Sequence, residues 1–286
     1  MYDVIIVGAG PAGISSGLYI KKSNKSVLIL YYGESNLEKA NLIDNYYGFE
    51  NGISGKDLYE KGIKQAQNLG IEIKKEEVLN IEKYDNFKIK TELGEYEGKS
   101  LILATGNKKI KPNIKGINDF EGKGISYCAI CDGFFYKNKN VAVIGDGKFA
   151  KLEAEHLKNI AGNVKILTNG KEISYLENFE VLTNKIKEIK GNNKVRTIEF
   201  ENGTTLDIDG IFIAMGEAGS SDFAKRIGVL TSKDDNIIVD ENMATNVEGL
   251  YSCGNSTGGL LQVCKAVYEG AEAGISVVKY LNNKSL

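Results

Sequence analysis

A strand, a glycine-rich turn and a helix follow one another twice in this chain of 286 residues. The first copy is the apolar run Asp3-Val4-Ile5-Ile6-Val7, the turn Gly8-Ala9-Gly10-Pro11-Ala12-Gly13 and a helical stretch to about Lys22, followed by an apolar strand over 27–30. In such a unit Gly8 makes the tight turn, Gly10 lets a pyrophosphate approach the backbone, and Gly13 lets helix and strand pack closely. The helix N-terminus then offers free N–H groups and a positive dipole end to the phosphates. Glycines set between two apolar strands and opening a helix predict a dinucleotide site.

The second copy has a strand over 141–144, the turn Gly145-Asp146-Gly147-Lys148-Phe149-Ala150, a helix to about Asn159 and a strand over 164–167. Each copy later has an apolar strand ending in a small-residue turn, Leu101-Ile102-Leu103-Ala104-Thr105-Gly106 and Ile211-Phe212-Ile213-Ala214-Met215-Gly216. Gly8 to Gly106 spans 98 positions and Gly145 to Gly216 spans 71, so the second unit is 27 positions shorter. Near the end come Gly249-Leu250-Tyr251-Ser252-Cys253-Gly254-Asn255 and a closing helix over 262–281. Val263, Ala266, Val267, Ala271, Gly274 and Val278 recur there at helical spacing. The expected fold is α/β, with two Rossmann-like three-layer nucleotide-binding domains, the second inserted in the first. The expected boundaries are 1–112 with 217–286 for the outer domain and 113–216 for the inserted one.

Composition narrows the function. A net charge of −2 excludes a general nucleic-acid binder, which needs a basic surface. The single histidine, His156, excludes a His-rich metal site, and two arginines, Arg196 and Arg226, leave few bidentate phosphate clamps. No basic leader precedes the first strand, and the apolar stretch over 4–20 is broken by glycines, Pro11 and Ser15-Ser16, so neither a secretory signal nor a membrane span is expected. The expected location is cytoplasmic.

In a reducing compartment four cysteines do not read as two structural disulfides. Cys128-Ala129-Ile130-Cys131 has the spacing of a small redox disulfide or of half a metal site. Cys253 and Cys264 lie more than 120 positions away and lack that spacing, so they are expected to be ordinary buried thiols. Asp132, beside the pair, is placed to handle a thiol proton or to cap a turn. Disulfide reduction takes two electrons that no side chain can deliver, so a redox cofactor is needed.

Together, Gly8-Ala9-Gly10-Pro11-Ala12-Gly13, Ala104-Thr105-Gly106 and Cys128-Ala129-Ile130-Cys131-Asp132-Gly133-Phe134-Phe135 resemble the low-molecular-weight thioredoxin reductases, in order and over essentially the whole chain. The resemblance implies FAD in the split domain, the cysteine pair in the inserted domain, thioredoxin as substrate and a homodimer. By position, it implies that Cys131 faces the flavin, Cys128 attacks the substrate disulfide and Asp132 is the acid–base group. Asn45 matches a flavin-contacting Asn, and Gly254, Asn255, Leu261, Gln262 and Val263 match the segment that holds the pyrophosphate, ribityl chain and flavin ring. Tyr31 closes the second strand, where the adenosine is expected.

The second copy departs from the members that use NADPH. These carry a third small residue between the first two glycines, and a His-Arg-Arg run after the next strand that grips the 2′-phosphate. Here Asp146 sets a carboxylate where a pyrophosphate would lie. Lys148 and Phe149 bring bulk, and residues 164–167 run into Thr168-Asn169-Gly170. The resemblance is therefore strongest to the pyridine-nucleotide-independent branch, which is reduced by ferredoxin. Lys108, Lys109, Lys111, Lys115, Lys123, Lys137 and Lys139 surround the cysteine pair in sequence and suit an acidic one-electron carrier. The competing readings are an NAD(P)H-dependent reductase with a remodelled site, an oxygen-dependent FAD dithiol oxidase and a non-enzymatic redox sensor.

Overall fold

The structure, a computed structural model, describes residues 1–106, 112–173, 178–216 and 219–284, with the side chains of Ile130 and Cys131 outside the description. The chain divides into two compact units, Met1–Asn107 with Gly219–Leu286, and Lys108–Ala218 between them. This is the α/β, two-domain architecture expected from the duplicated pattern.

The first unit begins β1 (Tyr2–Val7), α1 (Pro11–Lys22), β2 (Val27–Tyr31), α2 (Gly55–Asn68) and β3 (Glu72–Lys75). It continues with β4 (Val78–Lys83), β5 (Phe87–Thr91) and β6 (Glu95–Leu103). The sheet runs β3-β2-β1-β6-β5-β4. β1 pairs in parallel with both β2 and β6, which makes it an interior strand of the sheet with both edges hydrogen-bonded. Val4, Ile5 and Ile6 are accordingly fully buried, and an unbroken apolar run is what a central parallel strand requires.

The second unit holds the short helix α3 (Ile117–Phe120), β7 (Ile125–Ser126), the short helix α4 (Ala129–Asp132), β8 (Asn140–Ile144), α5 (Lys148–Lys158) and β9 (Asn163–Leu167). After these come β10 (Glu180–Leu182), β11 (Ile186–Gly191), β12 (Val195–Phe200), β13 (Thr205–Asp207) and β14 (Gly210–Ile213). Its five-stranded sheet, β10-β9-β8-β14-β7, is parallel throughout. An antiparallel sheet, β11-β12-β13, accompanies it.

The chain then completes the first unit with α6 (Ser220–Arg226), β15 (Leu250–Ser252) and α7 (Val263–Lys284). β15 pairs in parallel with the end of β6, setting Leu250 against Leu101 and Ser252 against Leu103. α7 packs on α1 at backbone distance: a Cβ on Gly270 would lie 2.2 Å from the Ala12 carbonyl oxygen, and one on Gly274 would lie 2.7 Å from that of Ser16. Ser15 Oγ donates across the pair to Val267 O at 2.7 Å.

The face of α7 differs from the sequence expectation. The buried stripe is Ala266, Gly270, Ala273, Gly274, Ser276, Val277 and Leu281, while Val263, Val267, Ala271 and Val278 flank it half-buried. The helix is rotated because its close partner is backbone. Small residues, rather than the larger aliphatics, fit a helix approaching at that distance. Cys264 lies at the surface, so the expectation of a buried thiol fails there and holds at Cys253.

Candidate active site

The first glycine turn combines two tight approaches with one open position. A Cβ on Gly8, whose φ is +116°, would lie 2.3 Å from Ala104 O, and one on Gly13 would lie 1.8 Å from Gly8 O. Both positions accept only glycine. A Cβ on Gly10 would meet nothing nearer than Ser35 Oγ, at 3.9 Å. The backbone at Gly10 is thus an open cradle. Gly10 also N-caps α1, whose N-terminus starts at Pro11 with no side-chain cap, so the positive helix end is left to an external anion. The diphosphate of FAD fits this arrangement.

Some of the other cofactor residues expected from the sequence meet one another within the first unit. A Cβ on Gly254 (φ +78°) would lie 2.8 Å from Ala12 Cβ, and one on Gly106 would lie 4.0 Å from Asn255 Cβ. Asn45 Nδ2 donates to Gln262 Oε1 at 3.2 Å, joining positions 217 residues apart. Leu261 is exposed and Val263 starts α7. Tyr31 ends β2, half-buried. Burial, and then the neighbouring Tyr31 and Glu38, push the phenol of Tyr59 upward.

Sequence reasoning missed several supports of this site. Ser220, almost fully buried, accepts from Thr105 N at 3.2 Å, and its own N–H donates to Thr105 Oγ1 at 2.8 Å. No sequence signal marks it, since its partner lies 115 positions away. Ser35 and Glu38 form a capping box before the 3-10 turn Asn36–Lys39, and the Ser-x-x-Glu spacing was readable. Lys265 and Glu269, an i,i+4 pair on α7, were also passed over.

In the second unit, Cys128 is buried and disulfide-bonded. The side chain of Cys131 lies outside the described residues. Ser126 organises the approach to α4: its Oγ donates to Asp132 Oδ2 at 2.6 Å and accepts from Cys128 N at 3.1 Å. Asp132 therefore sits one hydroxyl from the backbone N–H of Cys128. Glu153 on α5, only 1% exposed, accepts from Ala129 N at 2.6 Å and fixes the start of α4 from outside the motif.

The second glycine turn repeats the scaffold of the first but not its opening. A Cβ on Gly145 would lie 2.1 Å from Ala214 O, the counterpart of Gly8 against Ala104. Asp146 forms an ion pair with Lys171, in the segment that follows β9. Lys148 is exposed at the start of α5. Phe149 corrects one expectation: it is 5% exposed and packs into the core with Val141, Val143, Ala150 and Phe212, so its bulk faces inward.

Cys253 is fully buried, and burial, then Glu269, raises its thiol far above the ordinary range, which makes it a poor nucleophile. Of the lysines around the cysteine pair, Lys115 is paired with Glu188 at 2.8 Å, and Lys139 donates to Phe135 O. Lys123 and Lys137 are exposed, and Lys108, Lys109 and Lys111 lie outside the described residues. Among the described residues, no helix is long and apolar enough to cross a membrane, and no group of His, Cys, Asp and Glu could hold a metal ion.

The sequence pattern of the pyridine nucleotide-disulphide oxidoreductases matches residues 2–270. A thioredoxin reductase of Aquifex aeolicus is 32% identical, covering 99% of this chain and 94% of that protein. The atypical thioredoxin reductase TRi from Desulfovibrio vulgaris Hildenborough superposes with a TM-score of 0.91 at 36% identity, covering 99% of each chain. A ferredoxin-flavin thioredoxin reductase from Clostridium acetobutylicum superposes with a TM-score of 0.71 at 34% identity, covering 99% of this chain and 98% of that one. With its glycine cradle and its whole-length likeness to these enzymes, the chain belongs to the pyridine nucleotide-disulphide oxidoreductase family of FAD-binding flavoproteins, and within it to the thioredoxin reductases.

Proposed function

We propose that this enzyme reduces the disulfide of thioredoxin through Cys128 and Cys131, with electrons drawn from a reduced ferredoxin rather than from NADPH. The observation that carries the donor assignment is the Asp146–Lys171 ion pair at the second glycine turn. A carboxylate occupies the turn where a dinucleotide's diphosphate would need N–H groups and positive charge, and the nearest cation is already paired with it. The segment after β9 reads Thr168-Asn169-Gly170-Lys171 and has no arginine for a 2′-phosphate. The likeness to a ferredoxin-flavin thioredoxin reductase agrees with this reading.

FAD is assigned to 1–112 with 217–286, and the cysteine pair to 113–216. Gly8, Gly10, Pro11, Ala12 and Gly13 would hold the diphosphate, together with Gly254 and Asn255. Tyr31 would lie at the adenosine. Asn45, Ala104, Thr105, Gly106, Leu261, Gln262 and Val263 would border the rest of the cofactor. When bound, FAD supplies a store that fills by single electrons and empties by pairs.

The protein's own steps are thiol–disulfide exchange. The Cys128 thiolate attacks one sulfur of the thioredoxin disulfide, forming a mixed disulfide and releasing the other sulfur as a thiolate. Cys131 attacks the Cys128 sulfur, closing the Cys128–Cys131 disulfide and freeing thioredoxin as a dithiol. Asp132, held by Ser126, carries the proton between the reacting thiols and solvent. The enzyme acts as a homodimer in the cytoplasm, where thioredoxin cycles in a reducing pool.

Single-turnover chemistry tests this scheme. Photoreduced enzyme is mixed anaerobically with oxidised thioredoxin, and free thiols are counted on thioredoxin. The parent is expected to yield one dithiol per reduced centre. Cys128→Ser is expected to yield none and Cys131→Ser to stall as a mixed disulfide. Normal thioredoxin reduction by Cys128→Ser would contradict the assignment.

A further inference from the structure

Gly254 begins a short 3-10 turn, Gly254–Thr257, that leads from β15 toward α7. The turn rests on α1: Gly254 adopts φ +78° and approaches Ala12 too closely for any side chain. It is also tied down from the other side by two charged residues of α7. Lys265 Nζ donates to Gly254 O at 2.8 Å, to Thr257 Oγ1 at 2.9 Å and to Gly258 O. Glu269 Oε2 accepts from Gly254 N at 2.8 Å and from Thr257 Oγ1 at 2.9 Å. The two charges meet each other at 3.0 Å, with side chains only 15% and 12% exposed.

Four of these five contacts end on the backbone or side chain of Gly254 and Thr257, so the pair serves the turn and does little else. A surface i,i+4 pair on a helix adds little by itself. This pair is withdrawn from water, and each partner is satisfied by several polar groups, the condition under which a charged network fixes one conformation. We infer that Lys265 and Glu269 are positioning residues that lock the turn Gly254–Thr257 in its cofactor-binding shape. A turn already ordered spares the ligand the entropy of ordering it, so the lock should act on how long FAD stays bound. The inference rests on the assignment of Gly254 and Asn255 to FAD, and it adds the pair that holds them.

The test uses the purified holoenzyme. FAD loss is followed as the gain of free-flavin fluorescence after dilution, and unfolding is followed separately by circular dichroism on heating. Lys265→Met and Glu269→Gln are compared with Lys265→Arg and with Asn255→Ala. The lock predicts that Lys265→Met and Glu269→Gln lose FAD about tenfold faster than the parent and release it on heating before the fold is lost. Lys265→Arg, which keeps the charge and several donors, should stay close to the parent. Unchanged FAD loss in Lys265→Met and Glu269→Gln, with Asn255→Ala accelerated, would overturn the lock while leaving the flavin site in place. Unchanged loss in Asn255→Ala as well would remove the flavin from this turn and overturn both. FAD released only together with unfolding in both lock variants would also overturn it, by reducing the pair to a general support of the fold.

Discussion

Gly10 and Gly13 stand three positions apart and have opposite jobs. A side chain at Gly13 would collide with the carbonyl of Gly8 at 1.8 Å, a backbone contact that no rotamer relieves. Gly13→Ala should therefore cost roughly 3 kcal/mol of stability, at the upper end of overpacking penalties. A side chain at Gly10 enters open space in an ordinary extended conformation. Gly10→Ala should keep the parent's stability to within about 0.5 kcal/mol, as substitutions outside packed sites do. It should nevertheless lose FAD markedly faster, because the methyl fills the cradle. Urea denaturation of the two variants beside their flavin content separates the roles. These glycines were legible in the sequence because close backbone approach has one chemical solution. Ser220, Glu153 and Lys171 were not. Each is an ordinary polar residue whose partner (Thr105, Ala129 or Asp146) is brought to it only by the fold.

Elements show the same division. β1 was readable because a strand buried on both faces must be apolar throughout. What anchors its start is polar and was not read. The Asp3 carboxylate receives Ser26 N at 2.9 Å, Ser26 Oγ at 2.8 Å and Lys99 Nζ at 2.8 Å, tying the start of β1 to the residue before β2 and to β6 itself. Burial works against its charge, but Lys99 and Ser26 outweigh it and hold the carboxyl at about 2. A depressed carboxyl stabilises the fold above its unfolded value of about 3.9, and that contribution is lost as pH falls toward 2. Asp3→Asn should therefore be less stable than the parent at pH 7, with the gap narrowing steadily from about pH 4 downward. Denaturant midpoints taken from pH 7 to pH 3 measure it, and a gap independent of pH would contradict the role given to the charge. The closing helix was readable in extent but not in facing. Its sequence pattern weights large aliphatics, whereas the buried stripe follows Gly270 and Gly274, which lie against the backbone of α1. Cys264 was expected inside only because a free thiol is usually buried, and its place on the outer side of this helix was not read.

The whole molecule preserves one glycine site and alters its duplicate. Both copies keep the glycine that lets the first turn pass under a later strand, at Gly8 against Ala104 and at Gly145 against Ala214. That contact belongs to the fold, so it persists whatever the site binds. The first copy keeps open backbone at Gly10. The second places an ion pair at Asp146 and Lys171. The duplication, the cysteine spacing and the missing arginines were all visible in the sequence, whereas the cation that answers Asp146 was not. A protein of this design should be yellow, should exchange disulfides through Cys128, and should be indifferent to pyridine nucleotides. The most direct test is anaerobic bleaching of the flavin absorbance by reduced ferredoxin, NADPH and NADH offered separately to the oxidised holoenzyme. Rapid bleaching by ferredoxin, with none by either nucleotide over the same interval, is the expected result. Rapid bleaching by NADPH or NADH would contradict the donor assignment and return the second glycine turn to nucleotide binding.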